Sequence, residues 1–261
     1  MKEEPGFLDP LGDNPDHYLR LKGASMVITE ALTYTNDNLA IAIEERAMVC
    51  MHGDSGLGKT MAVNASLRDL APHDTLRVQF RSHPYPRDLR GLLFKGLELP
   101  DPLPVYALEF DQMLKDALAE RFRVRVCDEA QWLAGDCLEL WRHLWDEPKT
   151  KITIVFVGGG DCYKVLKRQR MFASRILLWQ KFEPMTRAEV LSVMPLYHSI
   201  WAEADLGLIL RTDKQSAHGN FRAWAKITVL ANRALKKLER TTVDEDVLGW
   251  VMDRMGQGES W

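Results

Sequence analysis

Residues 53–60 read Gly-Asp-Ser-Gly-Leu-Gly-Lys-Thr, which follows the order G-x-x-x-x-G-K-[ST] without a mismatch. That spacing serves anion binding. The glycines allow a tight loop and let backbone N–H groups approach phosphate oxygens. A helix starting directly behind the loop adds unpaired N–H groups and a favourable dipole. Lys59 then pairs with the β- and γ-phosphates of a nucleotide, and the Thr60 hydroxyl ligates magnesium. Gly53, Asp54, Ser55, Gly56, Leu57, Gly58, Lys59, Thr60 and Met61 are the candidate nucleotide contacts. The flanks suit the motif: the apolar run Ala47–Met51 precedes it, and a helix-like run, Met61–Leu70, follows.

Further along, residues 124–129 read Val-Arg-Val-Cys-Asp-Glu. An apolar strand ending in two carboxylates supplies the second half of the chemistry. Asp128 is expected to hold magnesium through water, and Glu129 to polarise the attacking water as a general base. Alone, an Asp-Glu pair at a strand end is more often solvated surface; the phosphate loop upstream gives it weight. ATP and Mg2+ are therefore the expected cofactors, and ATP hydrolysis the expected activity. Arg125 interrupts the apolar run and is expected to face a gap or a sheet edge.

The elements that must position these groups follow from the hydrophobic pattern. Apolar runs at 46–52, 75–81, 123–128, 151–157 and 176–182 read as strands. Amphipathic stretches at 105–122 and 137–145 between them read as helices. Two short helices are expected earlier, over 16–34 and 36–45, with Thr35 or Asn36 capping the second. After residue 185 strand signals stop. Thr186–Glu189 and Thr242–Glu245 have the form of capping boxes, and Gly219-Asn220-Phe221-Arg222 introduces a long helix reaching Arg240. The expected fold class is α/β, a P-loop NTPase with a parallel five-stranded sheet flanked by helices and a small C-terminal helical lid. The expected divisions are an arm at 1–20, the α/β domain at 21–184, the lid at 185–255 and a flexible tail at 256–261.

Bulk properties narrow the setting. The 261 residues are 46% hydrophobic and 27% charged, the range of soluble globular proteins, and the formal net charge is −3. Nucleic-acid contact must therefore come from a local patch. The cysteines Cys50, Cys127, Cys137 and Cys162 form no CxxC pair and read as reduced core thiols. No histidine spacing suggests zinc. The acidic N-terminus lacks the order of a secretion signal, and no apolar run reaches the ~18 residues of a membrane span, so a cytoplasmic location is expected.

On these residues the chain resembles the AAA+ ATPases. The likeness is carried by Gly53–Thr60, Val126-Cys-Asp-Glu-Ala-Gln131, the strand Ile152–Val157 and the helical tail with Gly219-Asn-Phe-Arg222. The Asp-Glu-Ala-Gln wording is similar to the branch of ExeA-type ATPases, origin-recognition ATPases and the transposition regulators TnsC, TniB and Mu B. The resemblance implies three further roles. Sensor 1, a polar residue at the end of the fourth strand, falls at Gly158-Gly159-Gly160-Asp161, where Asp161 is the polar candidate. The arginine finger falls at Arg175, with Arg170 and Arg168 as alternatives, and acts on ATP of a neighbouring subunit, which implies a ring or helical homo-oligomer. Sensor 2 falls at Arg222. A surface arginine is the plain alternative for both Arg175 and Arg222.

The stretch 77–90, with Lys95 after it, is rich in positive charge: Arg77, Arg81, Arg87 and Arg90. Phosphate backbones demand such charge, and guanidinium geometry suits it. In the resembling transposition ATPases this region lines a DNA channel; a solvated helix face is the bland alternative. Lys164, Lys167, Arg168 and Arg170 form a second cluster suited to a subunit interface or DNA, and Lys236, Lys237 and Arg240 read as solvated charge. The leading expectation is an ATP-dependent regulator that oligomerises on double-stranded DNA and recruits a partner such as a transposase, with target selection in transposition as its setting. A helicase loader, an ExeA-type ATPase and a signalling NTPase without nucleic acid stay open beside it.

Overall fold

The computed structural model describes residues 21–78, 82–100 and 102–256; the expected arm at 1–20, Arg81 and residues 257–261 of the expected tail lie outside them. Its elements in chain order are α1 (Glu30–Glu44), β1 (Met48–His52), α2 (Lys59–Leu70), β2 (Thr75–Val78), α3 (Pro86–Gly96), α4 (Ala107–Glu120), β3 (Arg123–Cys127), α5 (Gly135–Trp145), β4 (Ile152–Gly158), α6 (Cys162–Arg168), α7 (Arg170–Ala173), β5 (Ile176–Lys181), α8 (Arg187–Tyr197), α9 (Leu206–Thr212), α10 (Phe221–Lys237) and α11 (Glu245–Arg254). They fall into two compact units. One is Tyr34–Asp54 with Ala62–Phe182; the other joins Ser55–Met61 to the described parts of Met1–Thr33 and Glu183–Trp261.

The first unit holds a five-stranded parallel sheet in the order β2-β3-β4-β1-β5. Its middle strand β4, Ile-Thr-Ile-Val-Phe-Val-Gly, is buried at every position. Such continuous runs are what a parallel sheet covered on both faces requires. The one hydroxyl in the run, Thr153, donates to the Ala42 carbonyl at 2.9 Å, so its burial leaves nothing unpaired. On one face Trp141, Phe156 and Phe172 stack edge to face, with centroids 6.4 and 5.2 Å apart. The four cysteines are free thiols, all buried.

The second unit is helical. The stripe Trp224, Ile227, Thr228, Ala231, Ala234 and Leu235 gives α10 one buried face at helical spacing. Trp224 meets Trp201 edge to face at 5.2 Å, and the Trp201 indole donates to Thr228 Oγ1 at 2.9 Å.

Three local expectations are corrected. α1 does not break at Thr35 or Asn36. Thr29 caps it, its Oγ1 accepting from the Leu32 amide, and Thr35 is a buried mid-helix residue whose hydroxyl accepts from Gln180. α11 is capped by Asp244 rather than Thr242: the Asp244 carboxylate accepts from the Val247 amide at 2.9 Å. Arg125 does not stand on an edge strand. β3 lies between β2 and β4, and Arg125 is 1% exposed; its Nη1 donates to the Val124 carbonyl at 3.2 Å, and burial pushes its pKa down to about 10.

Candidate nucleotide site

The phosphate loop begins where β1 ends, and Lys59, 8% exposed, opens α2. Gly56 takes φ +85°, where a side chain is strained, and a Cβ there would run into Asn220 and Arg222. The close approach is specific. Asn220 caps α10, its Oδ1 accepting from the amides of Arg222 and Ala223, while its Nδ2 donates to the Ser55 carbonyl at 2.8 Å. The Arg222 amide donates to the Gly56 carbonyl at 3.2 Å, and its guanidinium donates to Ser55 Oγ. Both ends of the residue therefore seat on the loop.

The start of α10 is itself held. A π-turn over Asp213–Ala217 extends α9, and the Asp213 carboxylate accepts from the Gly219 amide at 2.8 Å and the Trp224 indole at 3.0 Å. His218 and Gly219 then pass through positive φ before Asn220 turns the chain into the helix. Asn220 and Asp213 were missed as site residues from sequence. The sequence marks 219–222 as the start of a helix, but not the bond that the Asn220 amide makes to the loop.

At the other carboxylate motif, the register explains what meets what. Arg77 of β2 pairs with Val126 of β3. Side chains alternate along a strand, so Asp128, two residues beyond Val126, lies on the Arg77 side. There the Arg77 guanidinium forms an ion pair with Asp128 and donates also to Asn64 on α2. Glu129 leaves the strand in the left-handed region, φ 55°, ψ 39°, costly for a side chain with a Cβ. Its amide donates to Asp128 Oδ1 at 3.0 Å, and its carboxylate accepts from Gln131 Nε2.

β4 ends differently. Gly158, Gly159 and Gly160 carry no polar side chain; a Cβ on Gly160 would lie 2.7 Å from Asp54 Oδ1, and one on Gly158 2.7 Å from Gln131 Oε1. Asp161, the sequence candidate for sensor 1, is exposed and pairs with Lys164 at 3.4 Å.

The described members of the basic set read as a DNA patch, Arg77, Arg87, Arg90 and Lys95, divide in two. Arg77 is engaged by Asp128, and Arg90 is bidentate to Asp111 at 2.6 and 2.9 Å, joining α3 to α4. Those pairs take both out of an exposed phosphate-binding set, and Arg81 lies outside the described residues. Arg87 and Lys95 are exposed and line a groove of about 670 Å³ with His83, Tyr85, Leu103 and Phe110. In the second cluster, Lys167 lies over the Trp179 ring at 4.5 Å, while Arg168 and Arg170 are exposed. Arg175 is held by Asp146 at 2.6 Å, and this guanidinium lowers the Asp146 pKa.

A family model described as AAA domain matches residues 42–166. No curated protein matches the chain by sequence. Among solved structures, Cdc6p from Pyrobaculum aerophilum is similar with a TM-score of 0.73 at 16% identity, covering 95% of this chain and 71% of its own. The Aeropyrum pernix ORC2 protein, solved as ADPNP-ADP complexes, gives 0.68 at 14%, covering 86% and 68%. The Aeropyrum pernix ORC1 protein in complex with DNA gives 0.64 at 14%, covering 87% and 66%. No described helix is long and apolar enough to cross a membrane. With its five parallel strands in the order β2-β3-β4-β1-β5 and a matching AAA domain at 42–166, the chain has the α/β P-loop fold of AAA+ ATPases.

Proposed function

We propose that this chain is an ATP-hydrolysing AAA+ switch that assembles on double-stranded DNA and recruits a partner protein, in the manner of regulators that select targets in DNA transposition. The observation that carries the nucleotide part is the seat of Arg222 and Asn220 on Ser55 and Gly56. An arginine in the first turn of a helix is disfavoured by the helix dipole. Its position against a phosphate-binding loop suits an anion that the arginine helps to hold.

In this reading the amides of Gly53–Thr60 and the Lys59 ammonium bind the β- and γ-phosphates. Thr60, and Asp128 through water, would hold magnesium; hydroxyl and carboxylate are the hard oxygen donors that ion takes. The fit is supported by Asp128 facing a cation, the Arg77 guanidinium, in this structure. Magnesium, when bound, neutralises charge on the phosphates. Glu129 accepts the proton of the attacking water. Arg175 reaches the ATP of a neighbouring copy once it leaves Asp146, which makes hydrolysis depend on assembly. Arg87 and Lys95 meet the DNA backbone from the groove on α3, and the solved likeness of ORC1 with DNA supports a nucleic-acid partner.

The test is ATP binding and turnover with and without duplex DNA at two salt concentrations, paired with electron microscopy in a slowly hydrolysed analogue. Lys59→Ala is expected to lower ATP affinity by about 100-fold or more; tight binding in that variant would end the nucleotide assignment. Arg87→Glu with Lys95→Glu is expected to weaken DNA binding and flatten its salt dependence. The absence of both assemblies and salt-dependent DNA binding would end the DNA part.

A further inference from the structure

Where β3 and β4 end, three groups meet: the Glu129 carboxylate, the Gln131 amide and the N–H of Gly159. The Gly159 N–H donates to Gln131 Oε1 at 2.9 Å. A backbone N–H can only donate, so this bond fixes which end of the side-chain amide is oxygen. The NH2 end is thereby turned to Glu129, whose Oε2 accepts from it. The surroundings leave little freedom. Gln131 sits in a 3-10 turn over Ala130–Trp132, entered through the left-handed Glu129. A Cβ on Gly158 would lie 2.5 Å from Cys162 Sγ and 2.7 Å from Gln131 Oε1, so glycine is what makes room for the amide.

We propose that Gln131 is the positioning residue for Glu129, supplying from the end of β3 the polar group that Gly158–Gly160 do not carry at the end of β4. The proposal rests on the reading of Glu129 as the group that polarises the attacking water. A neutral amide suits the task. Its donated hydrogen bond fixes the direction of the carboxylate. It adds no charge that would neutralise the base, as a lysine or arginine would. Its other end is tied to the strand beside it, so Glu129 is held at a set place relative to β4 and not merely hydrogen-bonded.

The experiment compares wild type, Glu129→Gln, Gln131→Ala, Gln131→Glu and the double variant Glu129→Gln/Gln131→Ala. It measures kcat and KM for ATP across pH, ATP affinity, and Tm. Gln131→Ala is expected to lose about 10- to 100-fold in kcat, the cost of a base displaced by an ångström or so, with KM, ATP affinity and Tm close to wild type. Gln131→Glu keeps the size but places a second carboxylate against Glu129. Like charges repel, so the carboxylate is pushed from its place and kcat is expected to fall at least as far as in Gln131→Ala, with KM close to wild type. The double variant is expected to be no slower than Glu129→Gln alone, because the amide then has no base to orient. Wild-type kcat in Gln131→Ala, beside an inactive Glu129→Gln, overturns the role of Gln131 while leaving Glu129 in place. Equal losses of kcat, ATP affinity and Tm would make Gln131 a packing residue and also overturn it. Wild-type kcat in Glu129→Gln, or no turnover in the wild type, removes the reading beneath it, and the proposal falls for that separate reason.

Discussion

β3 and the middle strand β4 run side by side with their residues in register from Arg123↔Ile152 to Cys127↔Phe156, yet they end in opposite ways. β3 delivers two carboxylates and then an amide within four residues, Asp128 to Gln131. β4 delivers three glycines. Every polar group at the β3 end has a partner: Arg77 on Asp128, Gln131 on Glu129. The β4 end contributes one backbone N–H and otherwise space, into which Gln131 and Asp54 reach. A role assigned to a place in a fold need not be filled by the residue at that place in the chain. In the reading proposed above, the long side chain of Gln131 fills it from the neighbouring strand end, in the space that the glycines of β4 leave.

The largest effect should come from taking that space away. Gly158→Val is expected to cost about 1–3 kcal/mol by overpacking and to lower kcat at least as far as Gln131→Ala, since the added methyls meet Cys162 and Gln131. Chemical denaturation and steady-state ATPase assays would show it; a stable, fully active Gly158→Val would break the contrast between the strands. A smaller effect is expected at the charged end. Arg77→Gln removes the cation that faces Asp128, so half-maximal activity is expected at roughly three- to tenfold lower magnesium, the scale of one charge-assisted hydrogen bond. A magnesium titration reads this directly, and a requirement for more magnesium would make Arg77 a support for Asp128 and not its competitor. The smallest effect is expected from Asp161→Ala. That carboxylate is exposed, its partner Lys164 is exposed, and such pairs contribute little. The rate should stay within about twofold and stability within about 0.5 kcal/mol of wild type; a tenfold slower rate would favour Asp161 as the sensor 1 residue.

What the sequence made legible follows the same divide. The phosphate loop, the five strands, the cap at Thr186 and the start of the long helix at 219–222 are readable because each is a local pattern: a spacing, a run or a cap followed by its helix. The partners of Asp128 and Glu129 were not. Arg77 lies far from Asp128 in the chain, and only the register Arg77↔Val126 aligns them. Read by composition, Arg77 and Arg90 joined a basic patch. Read by geometry, each belongs to an acidic partner. Thr35 was misread because a threonine in a helix looks like a cap until Gln180 is seen to donate to it. Gln131 stood in plain view inside Asp-Glu-Ala-Gln. Nothing in its spacing says that its amide bridges two strand ends, since that depends on the left-handed turn at Glu129. Such a conformation is uncommon for a residue other than glycine and has no reliable sequence signal.

The bond from Gly159 to Gln131 has a consequence for solvent exchange. The amides within β4 are protected by neighbouring strands and open only when the sheet does. The Gly159 amide, just past the last of them, is guarded by one side chain. Its proton therefore trades with deuterium at a rate set by how often that side chain lets go. That exchange reports the release of the Gln131 amide separately from the unfolding of the sheet beside it.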